Sequence, residues 1–260
     1  KIQGSKYVQS DIGNTFIEAK KNLKKGRWVL YTGTPCQIAG LKSFLGKEYD
    51  KLITTDIICH GVPSSDLFLS YIRSLEKNLK AKIVDFKFRD KSKGWGLTGK
   101  VVYKKSGRLI KKQIVPSMSS YYSYFLKGDI YRESCYTCKY ACSSREGDFT
   151  IGDYWGIKNV HPDIEYTKGV SVLLINSRRG MNLKDYLKKC LYLTESTFEL
   201  ARAENGQLNK PTNKSSIRES ILKTYRDGGY KAVEDEFYKN NKKRIRKTKI
   251  KMLVPLAIKV

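Results

Sequence analysis

The chain is short of acid. Against 51 Lys+Arg it carries 25 Asp+Glu, a formal net charge of +26. An excess of that size favours anionic partners such as phosphorylated cofactors, acidic proteins, nucleic acid or a membrane surface. Long apolar runs are missing too. None approaches the ~18 residues a transmembrane helix needs, so a membrane span is excluded, and no stretch has the layout of a secretory signal. Histidine is scarce at two residues, and six cysteines in 260 residues are too few for a secreted disulfide scaffold. Internal repeats and low-complexity segments do not occur. The chain opens on Lys1 rather than Met, which reads as a fragment or trimmed domain with an upstream segment before it.

What remains is an ordinary globular composition, 40% hydrophobic and 29% charged. It is long enough for one large α/β domain or two small ones. Residues 28–32 (WVLYT) form a short β-branched and apolar run that reads as a buried strand, after a basic helical stretch near 14–25. Gly33-Thr-Pro-Cys36 breaks it, and Ile38, Leu41 and Leu45 then recur at helical spacing. A second buried run, residues 52–59 (LITTDIIC), ends in the breaker HGVPSS. Ser65 is placed to cap a helix from Asp66 to about Leu79. Strand, helix, strand, helix predicts a parallel βαβ core in an α/β (α+β mixed) fold.

Residues 82–89, 100–104 and 108–115 read as short strands of a β-rich insertion, followed by a Tyr-rich helix around 119–127. A strand at 149–152 and a buried run at 170–175 come after the cysteine loop, and C-terminal helices are predicted at 182–190, 217–226 and 230–240. The tail from Lys242 to Lys251 (KKRIRKTKIK) is a solvated helix end or a contact for a membrane surface or an acidic partner.

The cysteines are not scattered. Cys36 follows the first strand, Cys59 ends the second, Cys135 and Cys138 form a Cys-x-x-Cys, and Cys142 follows closely. In a parallel sheet, ligands collect beyond the carboxyl ends of the strands. Two thiols there, with the cysteine loop folded over them, would complete a four-thiolate site for Fe–S or Zn, and spacing does not choose between the two. Cys36 also admits blander and sharper readings: a small buried residue at a turn, or a nucleophile at a helix N-terminus with His60 or His161 as base. Cys190, in a Lys-rich amphipathic helix, reads as packing.

Three glycine-bearing stretches add weaker signals. Gly33-Thr-Pro-Cys-Gln37 offers amides and a hydroxyl to a phosphate at a helix start. FRDKSKGWG (88–96) suits either a phosphate contact with aromatic stacking or a charged β-turn. GDFTIGDYWGI (147–157) is denser in Gly, Asp and aromatics than a core strand and a tight turn explain.

These segments, in this order, resemble the coenzyme F-420 hydrogenase/dehydrogenase beta-subunit family. The similar stretches are GSKYVQSDIG (4–13), YTGTPCQIAGLKSFL (31–45), DIICHGVPS (56–64), FRDKSKGWG, SCYTCKY (134–140) and GDFTIGDYWGI. The resemblance spans roughly residues 1–180 and implies an iron–sulfur flavoprotein with one [4Fe–4S] cluster beside an FAD. Electrons would pass to or from a deazaflavin, coenzyme F-420, or another acceptor such as a ferredoxin-like partner. It implies cluster ligands at Cys36, Cys59, Cys135 and Cys138, with Cys142 a spare. It implies flavin contacts at Ser5, Lys6 and Tyr7, at Thr32, Gly33 and Thr34, and at Asp153.

Residues 1–180 are then the iron–sulfur and flavin-binding oxidoreductase domain, 181–241 a helical extension and 242–260 a basic tail. The protein is expected to be cytoplasmic and to work with an upstream ferredoxin-like domain or a hydrogenase/dehydrogenase subunit, without specific nucleic-acid binding. The ferredoxin-like cysteine runs that family members usually carry upstream do not occur in this sequence. Two other functions fit parts of the sequence. A Zn-stabilised nucleic-acid-binding protein would use the basic charge and the 18 tyrosines, and an accessory protein of polysaccharide biosynthesis would keep the cluster but act on a sugar pathway.

Overall fold

The computed structural model describes residues 4–253. The chain divides into two compact units, each assembled from separate stretches. The first takes residues 4–9, 61–133 and 213–253; the second takes Ser10–His60 and Ser134–Thr212. Along the chain the strands are β1 (Val29–Gly33), β2 (Leu52–Ile57), β3 (Lys82–Lys87), β4 (Gly99–Lys105), β5 (Arg108–Ile114), β6 (Phe149–Asp153) and β7 (Ser171–Ile175). The helices are α1 (Thr15–Lys24), α2 (Pro35–Leu45), α3 (Ser65–Leu79), α4 (Ser120–Lys127), α5 (Glu133–Tyr136), α6 (Ile157–Val160), α7 (Arg178–Asn182), α8 (Lys184–Cys190), α9 (Phe198–Ala203), α10 (Arg218–Asn240) and α11 (Lys242–Leu253). Among the described residues, no helix is long and apolar enough to cross a membrane.

The second unit is built on a sheet of order β1-β2-β6-β7. β1, β2 and β6 run parallel, and β7 closes the edge antiparallel to β6. The predicted βαβ core is therefore present. α2 makes the crossover because its first turn is well capped. Thr34 occupies the N-cap, Pro35 fits the first helical position with its fixed φ, and Gly46 ends the helix in the left-handed region at φ 70°. Ala19 and Leu23 from α1, Leu41 and Leu45 from α2, and Leu52 from β2 form one buried cluster on this face of the sheet. Truncating a residue such as Leu41, 0% exposed, to Ala costs about 2–5 kcal/mol through lost transfer energy and the cavity left behind.

The first unit carries the β-rich stretch as its own antiparallel sheet, β3-β4-β5, and in sequence that stretch is the expected insertion, falling between the Ser10–His60 and Ser134–Thr212 segments of the second unit. Its core is aromatic. Tyr71 of α3 stacks on Tyr121 of α4 with centroids 5.1 Å apart, and Tyr7 stacks on Phe125 at 4.5 Å. Burying so many phenols requires hydrogen-bond partners. Tyr122 donates to the Phe88 carbonyl at 2.8 Å, Tyr121 to the Tyr7 carbonyl at 2.6 Å, and Tyr230 pairs with the Ser120 hydroxyl at 2.7 Å. These tyrosines are core residues, not the exposed stacking platform that a nucleic-acid binder needs.

Several boundaries differ from the sequence reading. The N-cap of α3 is Ser64, whose hydroxyl accepts from the Leu67 amide, so Ser65 is the first helical residue. The helix expected at 182–190 is α8, and a further short helix, α7, precedes it at Arg178–Asn182. The two expected at 217–226 and 230–240 are present as the two halves of α10, separated by a non-helical break at Gly229, where φ is 67°. Cys190 is exposed at the end of α8 and does not pack.

Candidate functional site

The register of β1 and β2 places the first two cysteines. Gly33 pairs with Asp56, and Cys36 and Cys59 each follow their paired residue by three positions. Both thiols therefore lie just past the carboxyl ends of adjacent parallel strands, where such sheets bind ligands. Cys36 is exposed in the first turn of α2, and Cys59 is half-buried. Asp153 ends β6, the third parallel strand, on the same edge. The Asp153 carboxylate acts electrostatically on His60, the residue after Cys59. Desolvation holds the His60 imidazole below its ordinary pKa, and Asp153 pulls the other way.

The cysteine loop reaches this edge through Arg145. Its guanidinium donates to the Tyr140 carbonyl at 3.0 Å, the Cys142 carbonyl at 3.4 Å and the Ile57 carbonyl at 3.1 Å, and it pairs with Asp56 at 2.9 Å. Ile57 is the last residue of β2, two before Cys59, so one side chain joins the two cysteine-bearing segments. Asp56 completes the anchor by accepting the Gly147 amide at 2.8 Å, the Glu146 amide at 3.1 Å and the Thr150 hydroxyl at 2.6 Å. Neither Arg145 nor Asp56 was marked by sequence reasoning. The only available signal was their charge: an Asp in a buried strand of Leu, Ile and Thr, and an Arg two residues before the glycine-rich stretch.

A second carboxylate binds the same strands. Asp148 accepts from the Thr54 amide and hydroxyl, both at 2.8 Å, and from the Ser177 hydroxyl at 2.6 Å. Burial alone would raise its pKa, but these hydrogen bonds and the nearby Arg179 outweigh it and hold the carboxyl below its ordinary value. The glycines of GDFTIGDYWGI now have structural reasons. A Cβ on Gly147 would stand 2.6 Å from the Phe149 carbonyl oxygen and 2.7 Å from the Asp56 nitrogen, and one on Gly152 would meet Ile58 at 2.7 Å. Close approach, of backbone at Gly147 and of the Ile58 side chain at Gly152, accounts for two of these glycines.

Cys135 and Cys138 are half-buried in the same unit, in and just after α5. Among the described residues, no group of three or more Cys, His, Asp or Glu side chains converges as a metal site. The structure thus brings the four predicted cysteines to one unit and two of them to one edge, without a closed tetrad. Cys142 differs from them: its thiol donates to the carbonyls of Ser144 at 3.2 Å and Lys139 at 3.4 Å within its own loop. In the nucleophile reading, Cys36 Sγ would face a histidine. It lies 3.1 Å from Thr34 Oγ1 instead, and His161 Nε2 is 2.9 Å from Ser196 Oγ.

The phosphate-type turn is partly occupied by its own residues. The Thr34 amide donates to Gln37 Oε1 at 2.9 Å, and Thr32 and Gly33 end β1 beneath it. An anion could use the Thr34 amide only after the Gln37 carboxamide has turned away. Ser5, Lys6 and Tyr7 belong to the other unit, where the Tyr7 ring packs in the aromatic core and the Lys6 ammonium donates to the Gly4 carbonyl at 2.9 Å. The FRDKSKGWG stretch is the cross-braced loop between β3 and β4. There Asp90 pairs with Lys100 at 2.6 Å, and Arg89 Nε donates to the Gly96 carbonyl at 3.1 Å.

No curated protein matches the chain. A family model does, over residues 26–200, a span that holds β1, β2, β6, β7, all four predicted ligand cysteines and Arg145. The family has a redox role, as one component of larger hydrogenase and dehydrogenase complexes. With the match covering more than half of the sequence, the chain belongs to the family described as the C terminus of the coenzyme F420 hydrogenase/dehydrogenase beta subunit.

Proposed function

We propose that the chain is the electron-transfer part of an iron–sulfur flavoprotein oxidoreductase. Cys36, Cys59, Cys135 and Cys138 hold a [4Fe–4S] cluster, FAD sits beside it, and a deazaflavin or a ferredoxin-like protein exchanges electrons with them. One observation carries the reading: Cys36 and Cys59 stand at equal offsets past the paired ends of β1 and β2, with Arg145 tying the cysteine loop to that edge. Cysteine thiolates are the donor set for Fe–S or Zn, and membership of a redox family favours iron over Zn.

When bound, the flavin would supply two-electron chemistry and the cluster one-electron transfer. The chain's own residues position these groups. Metal sites commonly assemble as the metal binds, so the 134–142 loop closes Cys135 and Cys138 onto the thiols at the sheet edge. Cys142, hydrogen-bonded within the loop, stays out of the ligand set. The turn at Thr32, Gly33 and Thr34 receives the flavin phosphate once Gln37 releases the Thr34 amide, and Asp153 faces the same edge. This flavin site rests on the second unit alone. Thiolate chemistry of this kind belongs in the reducing cytoplasm, and the partner is another hydrogenase- or dehydrogenase-type subunit or a ferredoxin-like domain.

An absorption spectrum of protein purified without oxygen tests the reading. A broad visible shoulder bleached by dithionite is the expected result. A colourless protein that contains Zn overturns it.

A further inference from the structure

We propose that the outward face of α11 binds the anionic surface of a lipid membrane. The helix carries seven basic residues between Lys242 and Lys251, and no acidic residue follows Glu236 in the sequence. Lys243, Arg246, Lys247, Ile250 and Lys251 recur at i, i+3, i+4, i+7 and i+8, so they form one face. All five are exposed. The opposite side seats the helix on the first unit. Ile245 is buried there, Arg244 donates to the Ser123 hydroxyl at 2.9 Å, and the Thr248 hydroxyl pairs with Ser117 at 3.2 Å. The cationic face is therefore held outward by packing rather than by chance of rotation.

Charge alone would suit any polyanion. An apolar residue among the cations favours a bilayer. Ile250 lies within the cationic face and is 53% exposed. A nucleic acid leaves Ile250 in water, whereas a lipid interface takes it into its headgroup and acyl boundary while the lysines meet the anionic headgroups. The contact lies on the surface of the bilayer, since no described helix can span it. The inference does not depend on the cluster or the flavin.

Co-sedimentation of the full chain tests it, using phosphatidylcholine vesicles with and without phosphatidylglycerol. The mixed vesicles should retain at least about tenfold more protein, and retention should fall as salt rises. The variant Lys243→Glu/Arg246→Glu/Lys247→Glu, altered only at exposed positions, should drop to the level seen with phosphatidylcholine alone while its melting curve stays unchanged. Ile250→Asn should weaken retention at constant charge. Equal retention by both vesicle types overturns the proposal, as does parental binding by the triple variant. Parental binding by Ile250→Asn overturns the lipid reading in favour of a purely ionic partner.

Discussion

The Arg145 guanidinium, 2% exposed, lies 2.9 Å from the carboxylate of Asp56, which is 0% exposed. The two residues are 89 positions apart. Both are well satisfied: Asp56 by two backbone amides and the Thr150 hydroxyl, Arg145 by three carbonyls and the Thr150 oxygen. A buried pair with its remaining hydrogen-bonding capacity filled holds a structure strongly against loss of one partner, because the other charge is left uncompensated.

Arg145→Met should therefore destabilise the protein by about 3–5 kcal/mol. In a cycle with Asp56→Ala, the coupling should be about 0.5–3 kcal/mol, since the two share one network. Urea denaturation of the four proteins measures both quantities. A loss below about 1 kcal/mol for Arg145→Met would mean that the pair does not anchor the loop.

Gly147 should tolerate no side chain. A Cβ there meets two backbone atoms, the Phe149 oxygen at 2.6 Å and the Asp56 nitrogen at 2.7 Å, and backbone cannot swing aside as a flexible side chain can. Gly147→Ala should cost about 1–3 kcal/mol or more through overpacking. Gly206→Ala, where nothing lies within 4 Å, should change stability by less than about 0.5 kcal/mol. Thermal melts of the two variants decide it, and equal melting temperatures contradict the account.

Asp148 should make the second unit acid-sensitive. Burial opposes its ionisation, but the bonds from Ser177 and Thr54 and the charge of Arg179 win, so its pKa is lower in the folded chain than in the unfolded one. A depressed carboxyl stabilises the fold above its unfolded pKa of about 3.9 and loses that contribution as pH falls through the folded value. Stability plotted from pH 7 downward should thus drop below about pH 4. The drop should be shallower in Asp148→Asn, which is weaker at neutral pH. An unchanged acid limb in the variant rules Asp148 out as a source of the sensitivity.

Much of the second unit was readable from sequence because its signals are local. β2 is the buried run its sequence suggests, and Thr34, Pro35 and Gly46 mark both ends of α2, but β1, expected to be buried, is an edge strand with Leu30 66% exposed. The long-range features were not readable. Nothing near Arg145 announces a partner 89 positions away, and the first unit only exists once residues 61–133 fold with 213–253. GDFTIGDYWGI drew notice, but the reason for its glycines could not be read there. Gly147 and Gly152 are held to glycine by Asp56 and Ile58, neighbours that the segment does not contain. The Tyr-rich stretch gave α4 its place but not its depth in the core.

The flavin turn can be tested apart from the cluster. A side chain on Gly33 would meet Gln37 Oε1 at 3.0 Å and its Cβ at 3.2 Å, so Gly33→Val disturbs both the helix cap and any phosphate approach. Gln37→Ala removes the carboxamide that occupies the Thr34 amide, at a capping cost of about 0.5–2 kcal/mol. After gel filtration, Gly33→Val should have shed its FAD, and Gln37→Ala should retain at least as much as the parent. Equal FAD retention in Gly33→Val and the parent removes this turn from the flavin site.

The iron content of the six single Cys→Ser variants, purified without oxygen, tests the cluster most directly. The account predicts that Cys36→Ser, Cys59→Ser, Cys135→Ser and Cys138→Ser each fail to hold stable iron. Cys142→Ser, which breaks hydrogen bonds only within its own loop, and Cys190→Ser at the exposed end of α8 should keep the parental amount. Parental iron in Cys59→Ser, or loss of iron in Cys142→Ser, would contradict the assignment.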